Sequence, residues 1–336
     1  MDIQEMKAVV IDRFGGTQNL RLADVPLPQP GPGQVRVHVA FAGVNPADWK
    51  DMEGLVAGFY EVSFPHILGF DAAGVVDAVG PGVSGFAPGD PVFTTSDHGD
   101  GLAGSWAEYL LVSAPRLALV PAGLDLASAA AVPIAALTAN QALLAPQRGN
   151  LQAGQRVLIH GASGGVGSFA VQLAALAGAR VATTCSAANL AYVGELGSEL
   201  ALDYRDPDFP QRLRDWSGEG LDLIVDAVGG DTLPERLQLL RRGGRLVSIA
   251  TLVADGDVAA ETAQARSMGR EKIYAIMDAD RAGEELAALG ARIAAGELRL
   301  PPVQVIDLQD AVNAVELVRS GHVRGKLVLR VCGDGF

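Results

Sequence analysis

The sequence predicts an α/β protein, with a doubly wound parallel sheet in the middle of the chain and a second, mostly β domain built from its two ends. Three observations predict it. The apolar strand Val157-Leu158-Ile159 runs straight into the turn His160-Gly161-Ala162-Ser163-Gly164-Gly165-Val166-Gly167, and an apolar helix follows over 168–176. Apolar strands recur at 180–185, 221–226 and 244–249, with a helix around 189–196, which is the rhythm of a parallel sheet. Residues 1–120 instead alternate short strands with Gly/Pro turns, as in a compact, partly open barrel.

Taken in order, the first strands are predicted at 7–11, 34–39, 74–79 and 90–93. Pro26, Pro28, Pro30 and Pro32 hold the chain extended before the second of these, because proline locks φ and lacks an N–H. The uncharged stretch 126–145 reads as a buried helix. After the α/β block come a strand at 272–277, a helix at 283–296 and strands at 303–306 and 326–331. Strands this late suggest that the chain returns to complete the first domain. The acidic stretch from Asp255 through Asp257 to Glu261 reads as a solvated loop. The expected division is 1–126, 127–278 and a returning segment 279–336.

A chain of 336 residues suits two domains, and 49% hydrophobic residues suit a globular one. Twenty-six basic against 39 acidic residues leave a net charge of -13, which weighs against nucleic acid and anionic membranes as partners. Cys185 and Cys332 make neither a disulfide framework nor a four-cysteine zinc site. The start, Met1-Asp2-Ile3-Gln4-Glu5, lacks the apolar core of a signal peptide. The uncharged stretches 126–145 and 157–179 have the length to cross a bilayer, but both are Ala/Gly-rich. A buried helix and the glycine turn account for them, so the expectation is a cytoplasmic enzyme.

The glycine turn is where a dinucleotide pyrophosphate sits in a Rossmann-type fold. Glycines let the backbone approach the phosphates, and the helix N-terminus offers free N–H groups and a partial positive charge. Gly164 and Gly167 meet the fingerprint, with Ala162 in place of its first glycine.

Beyond this turn, a series of ordered motifs runs along the chain. They are Gly43-Val44-Asn45-Pro46-Ala47-Asp48, Pro65-His66-Ile67-Leu68-Gly69-Phe70-Asp71, Val79-Gly80-Pro81-Gly82-Val83, Gly89-Asp90-Pro91-Val92 and Leu137-Thr138-Ala139. Asp226-Ala227-Val228-Gly229-Gly230 and Arg324-Gly325-Lys326 complete them. From Met6 to about Val331 the chain resembles the quinone oxidoreductase (zeta-crystallin-like) branch of the medium-chain dehydrogenase/reductase superfamily. The resemblance implies a GroES-like catalytic domain beside the Rossmann domain. Relatives that use catalytic zinc hold it with a cysteine near Pro46 and a histidine-glutamate pair after Gly69; here Gly69 is followed by Phe70-Asp71, so the resemblance implies no zinc. The histidines His38, His66, His98, His160 and His322 look scattered, and His98, between Asp97 and Asp100, reads as part of a solvated loop or a weak ion site.

No carboxylate follows the second strand of the α/β block, where NAD-preferring folds hold the ribose hydroxyl; Ser186 and Asn189 stand there instead. They either begin a helix or, with Tyr204, form the NADPH phosphate pocket that the resemblance implies. The resemblance also implies that Ser163, Gly164, Gly165 and Val166 meet the pyrophosphate, and that Val228 lies near the adenosine ribose. Ile249, Ala250 and Thr251 would flank the nicotinamide, with Thr138 near it or capping a helix turn. Asn45 and Lys50 would close over the ribose or ring, Lys50 standing where relatives often carry a tyrosine. The implied chemistry is hydride transfer from NADP(H) to a small apolar quinone or enone, without metal. Asn45, Lys50 and Tyr60 are then candidate donors to the developing oxyanion, Tyr60 either giving a proton or merely packing with Phe59 and Phe64.

Three alternatives stay open: an enoyl-thioester or alkenal reductase of the same branch, a non-catalytic NADPH-binding sensor or structural protein, and a zinc alcohol dehydrogenase. The resemblance also implies a homodimer paired along Rossmann edge strands, for which 272–277 is the candidate.

Overall fold

A computed structural model of the chain describes residues 4–98, 102–230, 232–250 and 258–333. The chain divides into two compact units, Met1–Leu137 with Asp278–Phe336, and Thr138–Met277. In chain order the elements begin with β1 (Glu5–Ile11), β2 (Arg21–Pro26), β3 (Gln34–Val44), α1 (Pro46–Met52), β4 (His66–Ile67) and β5 (Asp71–Val79). Then come β6 (Pro91–Thr95), β7 (Tyr109–Ser113), β8 (Leu117–Leu119), α2 (Leu126–Ala130) and α3 (Pro133–Leu144), in which the second unit begins. That unit continues with β9 (Arg156–His160), α4 (Gly165–Leu176), β10 (Arg180–Cys185), α5 (Leu190–Glu195) and β11 (Leu200–Asp203). It ends with α6 (Phe209–Ser217), β12 (Leu221–Asp226), β13 (Leu240–Ser248), α7 (Val258–Ser267) and β14 (Glu271–Tyr274). The chain then returns through α8 (Ala282–Ala294), β15 (Val303–Asp307), α9 (Ala311–Arg319) and β16 (Lys326–Arg330).

The first unit is built on β3. Its first half alternates buried and half-buried residues, whereas 39–44 are buried on both faces. A seven-stranded sheet runs β15-β16-β3-β5-β6-β8, with β7 also on β3, and a smaller sheet runs β2-β1-β4. The returning β16 pairs antiparallel with β3, placing Leu327 opposite Val44. The late strands therefore do complete the first unit, and among the described residues its sheets stay open rather than closing into a barrel. Val35, Val37, Val39, Leu68, Val76, Trp106, Leu110 and Leu329 share its core.

The second unit is a six-stranded parallel sheet in the order β11-β10-β9-β12-β13-β14. From β9 the chain adds strands on one side, then crosses back to add β12, β13 and β14 on the other. That reversal is the topological switch point of a doubly wound sheet, where ligands bind outside the carboxyl ends of the strands. The glycine turn follows β9 directly, and β14 lies at the edge of the sheet.

Two expectations are corrected here. The uncharged stretch 126–145 is not one helix: Pro133 separates α2 from α3, because the residue before a proline is pushed out of helical geometry. The acidic stretch ending at Glu261 is not all loop. Residues 255–257 lie outside the described residues, but Glu261 is in the first turn of α7 and pairs with Arg236 at 3.1 Å and with Lys272. Ala259, Ala260, Ala263 and Ala265 favour helix there more than the acidic residues favour solvent. Among the described residues no helix is long and apolar enough to cross a membrane.

Candidate cofactor and active site

The turn after β9 has the backbone a dinucleotide needs. Gly161 turns the chain at φ 83°, in the left-handed region. A Cβ on Gly167 would stand 2.3 Å from the Gly161 carbonyl and 2.6 Å from Ala162 Cα, so only glycine lets α4 start this close to the strand. A Cβ on Gly164 would meet nothing nearer than 3.6 Å, which leaves open space above the turn. No side chain caps α4, a helix of twelve residues. Uncapped N–H groups facing open space fit a pyrophosphate. Ser163, Gly164, Gly165 and Val166 are all in this turn.

Beside it, Asn189 Nδ2 donates to Ser163 Oγ at 3.2 Å and to Ser186 Oγ at 3.0 Å. Tyr204 N–H donates to the Cys185 carbonyl at 3.2 Å, so Tyr204 stands next to Ser186, and the Arg205 guanidinium lies 5.2 Å from the Tyr204 ring. Ser163, Ser186 and Asn189, separated by up to 26 positions, thus form one polar patch, with the Tyr204 backbone beside it. Asp203, opposite Cys185 in the register, has its Oδ1 taken by the Arg205 N–H at 3.0 Å. Burial and the Asp203 charge push the Cys185 thiol up to about 11, so it stays protonated.

On the other side of the switch point, Asp226 Oδ1 accepts the N–H groups of Val228 (3.1 Å) and Gly229 (2.9 Å) and shapes that turn. Val228 is about half exposed and its Cγ2 lies over Gly161. His160, buried at the end of β9, bonds Thr184 and Thr232 through its two ring nitrogens, tying both turns together. Ile249 N–H donates to the Asp226 carbonyl at 3.0 Å, with Ala250 next to it; Thr251 lies outside the described residues. Thr138 sits inside α3, so it does not cap the helix.

In the first unit Asn45 precedes α1 and is buried. Its amide is engaged at both ends: Nδ2 donates to Asp71 Oδ2 at 2.9 Å and Oδ1 accepts from Lys326 Nζ at 2.6 Å. Lys326 Nζ also reaches Asp71 Oδ2 (3.1 Å) and the Val44 carbonyl (3.2 Å), which satisfies all three ammonium protons. Asp71 Oδ1 accepts the Ile134 N–H at 2.8 Å. Amide, carboxylate and ammonium occupy the place where zinc-using relatives are expected to hold their metal, and no thiolate or imidazole is among them. This donor set does not fit Zn²⁺. Sequence reasoning gave Asp71 and Lys326 no role, although a single charge at the start of each apolar strand was a signal of a buried pair.

Lys50, on α1, places its ammonium 5.6 Å from the Trp49 ring. Tyr60 donates to Asp51 Oδ1 at 2.7 Å. Asp51 Oδ2 also faces His66 Nε2 at 2.9 Å and His98 Nε2 at 2.6 Å. The histidines are therefore not all scattered, and His98 is not in a solvated loop. His98 is fully buried, and the buried Asp97 pairs with Arg116 at 2.9 Å; Asp100 lies outside the described residues. Local polarity suggested solvent, but β6 delivers 96–98 into the core. Burial alone would raise the Asp51 carboxyl, but hydrogen bonds from His66 and His98 outweigh it and hold Asp51 well below the usual range. Burial and the Asp51 charge push Tyr60 well up, so its hydroxyl stays a neutral donor. Burial pushes His98 down, keeping it neutral.

Asp48 Oδ2 accepts the Asn45 N–H at 2.6 Å, while its Oδ1 is buried without a partner. Burial, with help from the Asp71 and Asp51 charges, raises the Asp48 carboxyl well above its ordinary 3.8. The folded state then holds this proton more tightly than the unfolded state. Stability is greatest below the unfolded value and falls as pH rises through the folded one. Asp48→Asn keeps an acceptor for Asn45 and removes the ionisation. Urea midpoints at pH 5 and pH 8 are expected to fall less in the variant, and parallel falls in both proteins would refute this.

A phosphate-type turn at the switch point of a parallel sheet, carried on a chain whose other unit is a GroES-like sheet, defines a medium-chain dehydrogenase/reductase: an oxidoreductase that works with a nicotinamide cofactor. The chain matches the alcohol dehydrogenase GroES-like domain over residues 31–122 and the zinc-binding dehydrogenase domain over residues 196–329. It is 33% identical to the quinone oxidoreductase of Sus scrofa over 334 residues, covering 96% of this chain and 97% of the relative. The quinone oxidoreductase structure from Coxiella burnetii superposes with a TM-score of 0.86 at 32% identity, covering 98% of this chain and all of that one. The CurK enoyl reductase structure superposes with a TM-score of 0.84 at 25% identity, covering 98% of this chain and 100% of that one. This chain belongs to the quinone oxidoreductase branch of the superfamily.

Proposed function

We propose that this protein is an NADPH-dependent, zinc-independent reductase that passes hydride to a quinone or an α,β-unsaturated carbonyl. The observation that carries the cofactor choice is the patch of Ser163, Ser186 and Asn189, with no carboxylate following β10 and with Tyr204 next in the chain after β11. Hydroxyl and amide donors there welcome a 2′-phosphate, where an acidic side chain would repel it. Bound at the turn, the reduced nicotinamide supplies the hydride. The N-terminus of α4 holds the pyrophosphate, and the Asp226-anchored turn positions Val228 over Gly161. In the first unit Asn45 and Asp71 are bonded to each other and to the Lys326 ammonium, which supports a reading in which the oxyanion of the acceptor relies on side-chain donors or water. Lys50 is one such donor; Tyr60 spends its one hydroxyl proton on Asp51, so it could serve the oxyanion only by letting go of that carboxylate.

The test is reduced-cofactor absorbance on chelator-treated protein, comparing NADPH with NADH against an o-quinone and a short enone. NADPH is expected to give kcat/KM at least about tenfold higher, the worth of one hydrogen bond to a charged phosphate. Equal use of NADH would overturn the cofactor choice, and a requirement for added Zn²⁺ without metal uptake by Asp51, His66 and His98 would overturn the metal-free reading. The similarity to an enoyl reductase supports a second acceptor class. An enoyl thioester reduced faster than both other acceptors would move the assignment there. NADPH binding without turnover of any acceptor would favour a sensor role.

A further inference from the structure

Asp51, His66 and His98 come from α1, β4 and the segment after β6, and their donor atoms all lie within 4.8 Å of one another in the buried interior of the first unit. We propose that these three side chains bind a divalent first-row metal ion of the Zn²⁺ type, at a site separate from the place that Lys326 fills. The inference does not rest on the proposed reductase activity.

The donor set is two imidazole nitrogens and one carboxylate oxygen, which suits a borderline ion such as Zn²⁺. Both imidazole nitrogens converge on Asp51 Oδ2, His66 Nε2 at 2.9 Å and His98 Nε2 at 2.6 Å, and all three atoms lie within 4.8 Å of one another. Bonds of about 2.0–2.1 Å to a tetrahedral ion place donors about 3.3 Å apart, so the side chains need to open by roughly half an ångström. The outer contacts are in place. Tyr60 holds the other oxygen of Asp51 at 2.7 Å, which leaves Oδ2 as a single-point ligand. Phe70 packs edge-on against His98 at 4.7 Å, and Phe64 lies edge-on to His66 at 6.5 Å.

As a plain hydrogen-bonded group the cluster leaves His98 Nδ1 buried without a partner. Coordination through Nε2 would place the ring proton on Nδ1, so the two ring nitrogens would have distinct roles. Three protein ligands leave one tetrahedral position for water. The ion would cross-link three segments that are far apart in sequence and would hold the carboxylate to which Tyr60 donates.

The full chain, stripped with a chelator, is titrated with Co²⁺ and followed by visible d–d absorption. One equivalent is expected to saturate an intense four-coordinate spectrum, and Zn²⁺ is expected to erase it. His98→Gln is expected to bind at least about 100-fold more weakly, while His322→Gln, on an exposed residue, leaves binding unchanged. X-ray absorption of Zn²⁺-loaded wild-type protein is expected to show two imidazoles around the metal, a readout that needs no folded variant. Wild-type protein that takes up no stoichiometric Co²⁺, or a Zn²⁺ shell without imidazole, overturns the proposal. Because metal uptake is read directly, failure here leaves the hydride-transfer reading untouched, and failure of that reading leaves this one standing.

Discussion

Lys326→Met is expected to destabilise the protein by about 3–5 kcal/mol, the usual result of removing one partner from a buried ion pair. Lys326 is 5% exposed and Asp71 is fully buried. Without the ammonium, Asp71 keeps only the Asn45 amide and the Ile134 N–H, and the Val44 carbonyl and Asn45 Oδ1 lose their donor. The node joins β16, β5 and the start of α1, so the loss falls on the seam where the returning chain closes the first unit. Denaturant midpoints measure it. Lys326→Met with Asp71→Asn is expected to recover much of the stability, because the orphaned charge is gone. A single variant within about 1 kcal/mol of wild type would show that the pair is not buried as described.

Gly167→Ala is expected to damage both fold and cofactor binding. The new methyl would overlap the Gly161 carbonyl and Ala162, and such overpacking costs about 1–3 kcal/mol. Relief requires α4 to move away from β9, which shifts the N–H groups proposed to hold the pyrophosphate. Losing one donor to a charged phosphate, worth about 1.5–3 kcal/mol, weakens dinucleotide binding roughly ten- to hundredfold. Gly164→Ala separates the two effects. Its Cβ meets nothing nearer than 3.6 Å, so the fold is expected to hold, while the methyl enters the space where the phosphates are expected. Unchanged NADPH affinity in both variants, measured by fluorescence titration, would place the dinucleotide elsewhere.

The α/β half was legible because its signals are local. A buried parallel strand is a continuous apolar run, and the glycine turn must follow it directly in sequence. For this reason 157–167 announced both the sheet and the glycine turn at its carboxyl end. Ser186 and Asn189 were named from their place after a strand, and Ser163 and Tyr204 from what the resemblance implies, yet only the fold brings Ser163, Ser186 and Asn189 into one patch and sets the Tyr204 backbone beside Cys185. Charged groups in the first unit were less legible. His66 and His98 looked scattered because 32 positions part them, and the polar surroundings of His98 gave no hint that β6 buries it.

Local patterns in the sequence marked the main strands of the parallel sheet, the place of the glycine turn and the family resemblance, because apolar period and turn chemistry act over a few residues, whereas elements such as β2, β7, β8, α6 and α9 appeared only in the fold. Those patterns also marked 326–331 as a strand. Tertiary structure alone decided what the charged residues do. Lys326 meets Asp71 across 255 positions, and Asp51 meets His98 across 47. Burial removes water from these groups, so each must find its partner within the fold, and no local pattern in the chain records which partner that is.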